Sequence, residues 1–287
     1  MSTISDKEQA LFAEWIEHEK WIKDDDWTGM KDASLGDVFC PDGLHFTGGP
    51  YSYQIEGKNY CEVESGNEEE LWHKAFFKPV FLCKDYYGIY PDEDGNIIYS
   101  NMDVRTEAGG CDGQLYYRFY ARYMILLYGL TNYSPVNNTF PSFSEASNIN
   151  NYWYGEKGFF HAPVVRMNLK KIAGWQKCYD SVLSGYIKND LAYITRQKDI
   201  YEGANVFICC HGGVPSNPIM ELLKNEWFPD LKRYKDSSFL WYDETKKVVV
   251  LHEWHMSAPG VSYEEYYSAV YELQSFLEDN KGFFDKK

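Results

Sequence analysis

Two short apolar runs, far apart in the chain, end in the same way, and that shared ending constrains the fold most. Val80 to Cys83 leads into Lys84-Asp85-Tyr86-Tyr87-Gly88, and Val248 to Leu251 leads into His252-Glu253-Trp254-His255-Met256-Ser257-Ala258-Pro259. Each reads as a buried strand whose carboxyl end carries an acid or an imidazole and then loop residues. Two more runs follow the pattern: Pro163 to Met167 stops at Asn168, and Ala204 to Cys210 stops at His211-Gly212-Gly213. Strands that are apolar throughout, alternating with helical stretches, imply a parallel sheet covered on both faces. The expected architecture is α/β, a three-layer αβα sandwich around a mainly parallel central sheet. In such sheets ligands bind outside the carboxyl ends of the strands, where these polar residues sit.

The intervening segments supply the helices. Ser5 to about Ile22 carries Leu11, Trp15 and Ile22 among charges, and Gln114 to Tyr128 is apolar nearly all round, as a buried helix is. Leu183, Ile187, Leu191 and Ile194 form a third stripe at helical spacing. Ser262-Tyr263-Glu264-Glu265 is a capping box, followed by Tyr266, Val270, Leu273 and Leu277 on one face of a last helix. Phe239 to Tyr242 and Lys247 to Glu253 read as strands of a hairpin turning through Asp243-Glu244. Residues 1–74 are expected to form an N-terminal helix and an irregular extension packed on the core, with turns at Pro41-Asp42-Gly43 and Gly48-Gly49-Pro50. Residues 75–287 form the main αβα domain, interrupted by a long Asn-, Ser- and Pro-rich loop at 131–158.

Charge and cysteine usage narrow the function classes. The net charge of −15 argues against broad phosphate contact with duplex DNA, although a local basic groove is compatible with it. The seven cysteines show no C-x-x-C spacing and no histidines at zinc intervals, so they read as reduced thiols of a cytoplasmic protein. The opening residues lack a secretory pattern, and no apolar window is long enough to span a bilayer.

The strand ends also carry a resemblance. Cys83-Lys84-Asp85-Tyr86-Tyr87-Gly88, Val164-Val165-Arg166-Met167-Asn168-Leu169 and His255-Met256-Ser257-Ala258-Pro259 occur in the order of three motifs of the uracil-DNA glycosylase superfamily. Those motifs are Gly-Gln-Asp-Pro-Tyr after a strand, an apolar strand ending in Asn, and a late His-Pro-Ser. The resemblance covers roughly residues 75–279 as an ordered series of elements. It departs from the family at Cys83-Lys84 for Gly-Gln, at Tyr86 for the first-motif Pro and at Met256 for the Pro of His-Pro-Ser. What it implies is a uracil-DNA glycosylase-like hydrolase of base-excision repair, cleaving the N-glycosidic bond of a uracil-like or modified base in nucleic acid without cofactor or metal. By the same resemblance Asp85 activates the attacking water, Asn168 reads the base edge, and His255 donates to the oxygen where negative charge develops. Tyr87 limits the pocket, Ser257 contacts backbone phosphate, and Lys84 stands in the first motif as a further substrate-binding residue. A catalytically inactive member of the fold, binding nucleic acid or a protein, is the alternative.

These residues also admit structural roles: Asp85 as a loop or helix cap, Asn168 as the cap of the Leu169-Lys170-Lys171 turn, His252 as a satisfied core histidine, His211 as a turn marker, and Tyr86, Tyr87 and Trp254 as packing. Other chemistries are disfavoured. His252 and His255 have H-E-x-H spacing where a helical zinc site needs H-E-x-x-H, and on a strand they point to opposite faces. There is no G-x-S-x-G elbow, phosphate loop or dinucleotide fingerprint.

Overall fold

A computed structural model describes residues 2–18, 34–55, 58–86, 89–91, 94, 97–99, 101–106, 114–148, 162–174, 178–211, 217–237, 239–256 and 258–285; at 49–55, 58–63, 89–91, 97, 99 and 114–121 it describes the backbone alone. In chain order the elements are α1 (Ile4–His18), α2 (Leu35–Val38), β1 (Gly43–Leu44), β2 (Gly48–Ile55), β3 (Lys58–Glu64), α3 (Glu68–Lys74), β4 (Pro79–Cys83), β5 (Ile89–Pro91), β6 (Ile97–Tyr99), α4 (Gln114–Thr131), α5 (Phe143–Ser147), β7 (Val165–Asn168), α6 (Asp180–Ile200), β8 (Val206–Cys210), α7 (Pro218–Leu222), β9 (Lys232–Arg233), β10 (Leu240–Asp243), β11 (Val248–Glu253) and α8 (Tyr263–Asp279).

Seven strands form one sheet in the order β1-β7-β4-β8-β11-β10-β9. The four central strands β7, β4, β8 and β11 are parallel, and β1, β10 and β9 extend the edges antiparallel. The protein is thus mixed α/β with a mostly parallel sheet, as its fully apolar strands require. Side chains alternate between two cores. Phe81, Cys83, Ile208, Cys210, Val249 and Leu251 face α4 and α8, while Val80, Leu82, Val165, Met167, Cys209 and Val250 face α1, α6 and α7. The strand reached first, β4, has the second parallel strand on one side and the third on the other. The sheet therefore reverses direction between β4 and β8, the place where open α/β sheets leave a crevice.

The capping box of α8 is present, with the Ser262 hydroxyl accepting from the Glu265 N–H and the Glu265 carboxylate accepting from the Ser262 N–H. The β10–β11 hairpin pairs Leu240 with Leu251 and Asp243 with Val248. The expected N-terminal helix is α1, and among the described residues of 34–74 regular pairing replaces part of the irregular extension expected there. Gly48–Ile55 and Lys58–Glu64 pair as an antiparallel ribbon, and Gly43–Leu44 joins the central sheet beside Val165 and Arg166. The Pro41-Asp42-Gly43 turn leads straight into that edge strand. Gly43 has φ 146°, and a Cβ there would overlap the Glu8 carboxylate, so this position needs glycine.

Among the described residues no helix is long and apolar enough to cross a membrane. The 131–158 stretch is described as far as Asn148 and contains α5 together with a bridge between Ser134 and Thr139.

Candidate functional site

Register brings four side chains into one row at the carboxyl end of the parallel strands. Asn168 pairs with Cys83, Leu82 with Cys209 and hence Cys83 with Cys210, and Cys210 pairs with Glu253. Parallel neighbours in register place their side chains on the same face. Asn168, Cys83, Cys210 and Glu253 therefore all look toward the α4/α8 layer, and each is at most 2% exposed. Arg166, two residues before Asn168, lies on the same face and is also buried.

Asn168 has the most unusual surroundings. Its backbone N–H donates to Asp42 Oδ2 at 2.6 Å, yet neither its side-chain Oδ1 nor its Nδ2 has a hydrogen-bond partner among the described residues. The amide thus does not cap the Leu169-Lys170-Lys171 turn. A buried amide without partners costs about 1–3 kcal/mol or more, so such a group is retained where something else uses it.

His255 follows β11 in a segment gripped from two helices. Arg122 of α4 donates from Nη1 to the carbonyls of Met256 (2.8 Å) and Ala258 (2.6 Å) and from Nη2 to that of Val261 (2.7 Å). The Tyr266 hydroxyl of α8 donates to the His255 carbonyl at 2.6 Å. Burial lowers the His255 imidazole to about 4, and the positive charges of Lys84, Arg166, His211 and Arg122 add to the shift. Lys84, Arg166 and Arg122 thus bring positive charge near His255, with the Asp180 carboxylate shared by Lys84 and His211. At neutral pH the His255 ring is neutral, a hydrogen-bond donor without a charge of its own.

Lys84 Nζ lies 3.2 Å from Asp180 Oδ1 and 3.4 Å from the Cys178 carbonyl, and His211 Nε2 lies 2.7 Å from the same Asp180 oxygen. Asp85 is turned elsewhere. Its Oδ2 is 3.6 Å from Lys170 Nζ, and it lies against Gly174, where a Cβ would overlap it. Lys170 and Gly174 follow β7, whose continuation is tied to the β4 end by Leu169 N–H to the Cys83 carbonyl (3.0 Å), Lys170 N–H to that of Lys84 (2.9 Å) and Gly174 N–H to that of Tyr86 (2.7 Å). The structure therefore groups His255, Lys84 and His211 electrostatically and holds the Asp85 carboxylate by its own ion pair. Tyr87 and Ser257 lie outside the described residues. His252 is buried with Nε2 3.1 Å from Asn217 Nδ2, the satisfied core histidine of the alternative reading. Tyr86 is buried in a small cluster with Cys40, Val104 and Ala173, while Trp254 is 40% exposed and only partly covered. Among the described residues no group of three or more His, Cys, Asp or Glu is placed to hold a metal ion.

Sequence reasoning missed Arg122, Arg166 and Glu253. Arg166 was a single charge inside an apolar run and Arg122 one of two, with Arg118, in another, and that contrast was the available signal. Glu253 shares the parity of Val249 and Leu251, which puts it on a core face. Burial pushes its carboxyl well above the usual range, opposed by the nearby Trp254 N–H, and neither oxygen has a partner in hydrogen-bond geometry among the described residues. Glu253 therefore binds a proton at pH values where the unfolded chain has lost it, so it makes stability fall as pH rises above its unfolded value near 4.5. The Glu253→Gln variant is expected to gain stability over the parent as pH rises from 5 toward its folded pKa, at up to about 1.4 kcal/mol per pH unit. Urea midpoints measured at pH 5, 6.5 and 8 check this; a constant difference would show Glu253 ionised in the fold.

Comparison with models of protein families, with curated proteins and with solved structures gives no match.

Proposed function

We propose that the chain is a uracil-DNA glycosylase-like hydrolase that removes a uracil-like or modified base from nucleic acid. The observation that carries this reading is the Asn168 amide, buried at the carboxyl end of β7 with both polar atoms unmatched. An amide offers a donor pair and an acceptor side by side, which complements the N–H and C=O of a base edge. In the proposed reaction the bond from C1′ to the base nitrogen breaks and its electron pair leaves with the base. Water oxygen adds to C1′, and its proton passes to the Asp85 carboxylate. A neutral His255 donates an N–H to the base oxygen that gains charge, in a field made positive by Lys84 and Arg166. Tyr87 and Ser257 keep the pocket-limiting and phosphate-contacting roles that the resemblance implies.

The Asp85–Lys170 ion pair favours the alternative, a binding module without catalysis, because it occupies the carboxylate. An assay for alkali-labile sites in oligonucleotides carrying a panel of modified bases, in single and double strands, separates the two. Excision should fall at least about 100-fold in Asp85→Asn and in His255→Ala. An absence of excision across the whole panel would reject the enzyme.

Gly174→Ala gives a finer test. The backbone at 174 is not in the left-handed region, so the added methyl acts mainly by displacing the Asp85 carboxylate. The expected result is a fold that keeps most of its stability and excision reduced on the order of tenfold to 100-fold. Excision equal to the parent's would show that the position of Asp85 is immaterial.

A further inference from the structure

Two thiols in the row at the carboxyl end of the sheet take no part in the proposed chemistry. Cys83 is the last residue of β4 and Cys210 the last of β8. These strands are parallel neighbours, paired as far as Leu82 with Cys209, so Cys83 and Cys210 come next, side by side. Their side chains face the same layer, α4 and α8, and lie within hydrogen-bond reach of each other. Asn168, paired with Cys83 on the other side, brings an amide whose Oδ1 and Nδ2 have no partners among the described residues.

We propose that Cys83 and Cys210 are a redox-active dithiol, which a peroxide closes to a disulfide between the two strands. Distance permits the bond. Neighbouring strands lie about 4.8 Å apart, inside the range of about 4.4–6.8 Å between Cα atoms that a disulfide spans. The surroundings divide the labour between the sulfurs. Contact with Cys210 lowers the pKa of the Cys83 thiol, burial opposes that, and the Arg166 guanidinium lowers it further. Burial and the same contact push Cys210 well up, so it stays a thiol. The thiolate is the attacking form, and a neighbouring arginine favours it. Cys40 and Cys209, by contrast, are both raised by burial and are poor nucleophiles. Hydrogen peroxide is small, uncharged and both donor and acceptor, so the unmatched Asn168 amide is suited to hold it beside Cys83. In the first step the Cys83 sulfur bonds to one peroxide oxygen, the O–O bond breaks, and the other oxygen leaves as water with the thiol proton. In the second, the Cys210 sulfur bonds to the Cys83 sulfur, the S–O bond breaks, and the hydroxyl leaves as water with the Cys210 proton. The two sulfurs together lose two electrons, and the peroxide gains them.

The test exposes the whole folded chain, reduced and then freed of reductant, to millimolar hydrogen peroxide at neutral pH. The expected results are an intact mass lower by two hydrogens and a non-reducing peptide map that joins the Cys83 peptide to the Cys209-Cys210 peptide. Dithiothreitol should reverse both. The Cys209→Ser variant should keep the link, which assigns it to Cys210, and the link should form at least about tenfold faster than any involving Cys40 or Cys209. Cys210→Ser should abolish it and leave Cys83 as a sulfenic acid that dimedone labels, and Cys83→Ser should give no link at all. Where either of these two variants fails to fold, the maps of the parent and of Cys209→Ser decide alone. The inference is overturned if the folded protein keeps both thiols, if the map joins Cys83 to Cys209 instead, or if the link appears only after unfolding in urea. A protein that forms the link but excises no base from the oligonucleotide panel would lose the enzyme reading and keep this inference. Excision by a protein that forms no link would do the reverse.

Discussion

Asp42→Ala is expected to destabilise the protein by about 3–5 kcal/mol, the cost of leaving a buried charge without its partner. Asp42 is fully buried, and its carboxylate accepts from three directions: Lys171 Nζ at 2.6 Å and Gln197 Nε2 at 2.8 Å on Oδ1, and the Asn168 N–H at 2.6 Å on Oδ2. Lys171 is itself buried, and burial lowers its pKa, with Asp42 and the nearby Glu8 opposing that shift. Glu8 binds the Leu44 N–H, the Tyr201 hydroxyl and Arg105, so one polar network joins α1, β1, α6 and the end of β7. In a protein of this size the loss corresponds to a melting midpoint lower by on the order of 10 °C. Adding Lys171→Met should return part of it, because the orphaned ammonium goes too. A single-variant loss under about 1 kcal/mol would mean that water reaches Lys171 and that the network does not carry the edge of the sheet.

That network explains much of what the sequence leaves hidden. The parallel strands are legible because Val80 to Cys83 and Val248 to Leu251 are apolar on both faces, and α8 because Ser262 and Glu265 cap it locally. The edge strand β1 has two residues, too few for any periodicity, and what fixes it is the distant Glu8 carboxylate that packs on Gly43 and accepts from Leu44. The β2–β3 ribbon is likewise masked by Gly48-Gly49-Pro50 at its start, a turn signal standing inside a strand. At the site, strand ends point to Asp85, Asn168, His211 and His255, since position along a strand is local information. What surrounds them is not local. The partner of Asp85 is Lys170, and the grip on the His255 segment comes from Arg122, which lies in α4, and from Tyr266. Pairings of that kind depend on register and on helix placement, which no single segment encodes.

Asn168→Leu should separate stability from function most sharply. Leucine keeps the branching of asparagine at the γ position and replaces its two polar atoms with methyl groups. Elsewhere in a core the removal of a polar side chain also removes its hydrogen bonds, and the net change is small or unfavourable. Here Oδ1 and Nδ2 have no partners among the described residues, so the substitution removes a desolvation cost and no side-chain bond. The backbone N–H of residue 168 remains available to Asp42. Stability should therefore rise by about 1–3 kcal/mol in urea unfolding. Base excision should meanwhile fall by about 100-fold or more, since an apolar side chain leaves the base edge unmatched. Opposite signs in the two measurements are the signature of a polar group kept for a ligand. A fall in stability would reveal a structural partner for the amide, and unchanged excision would move base recognition to other residues.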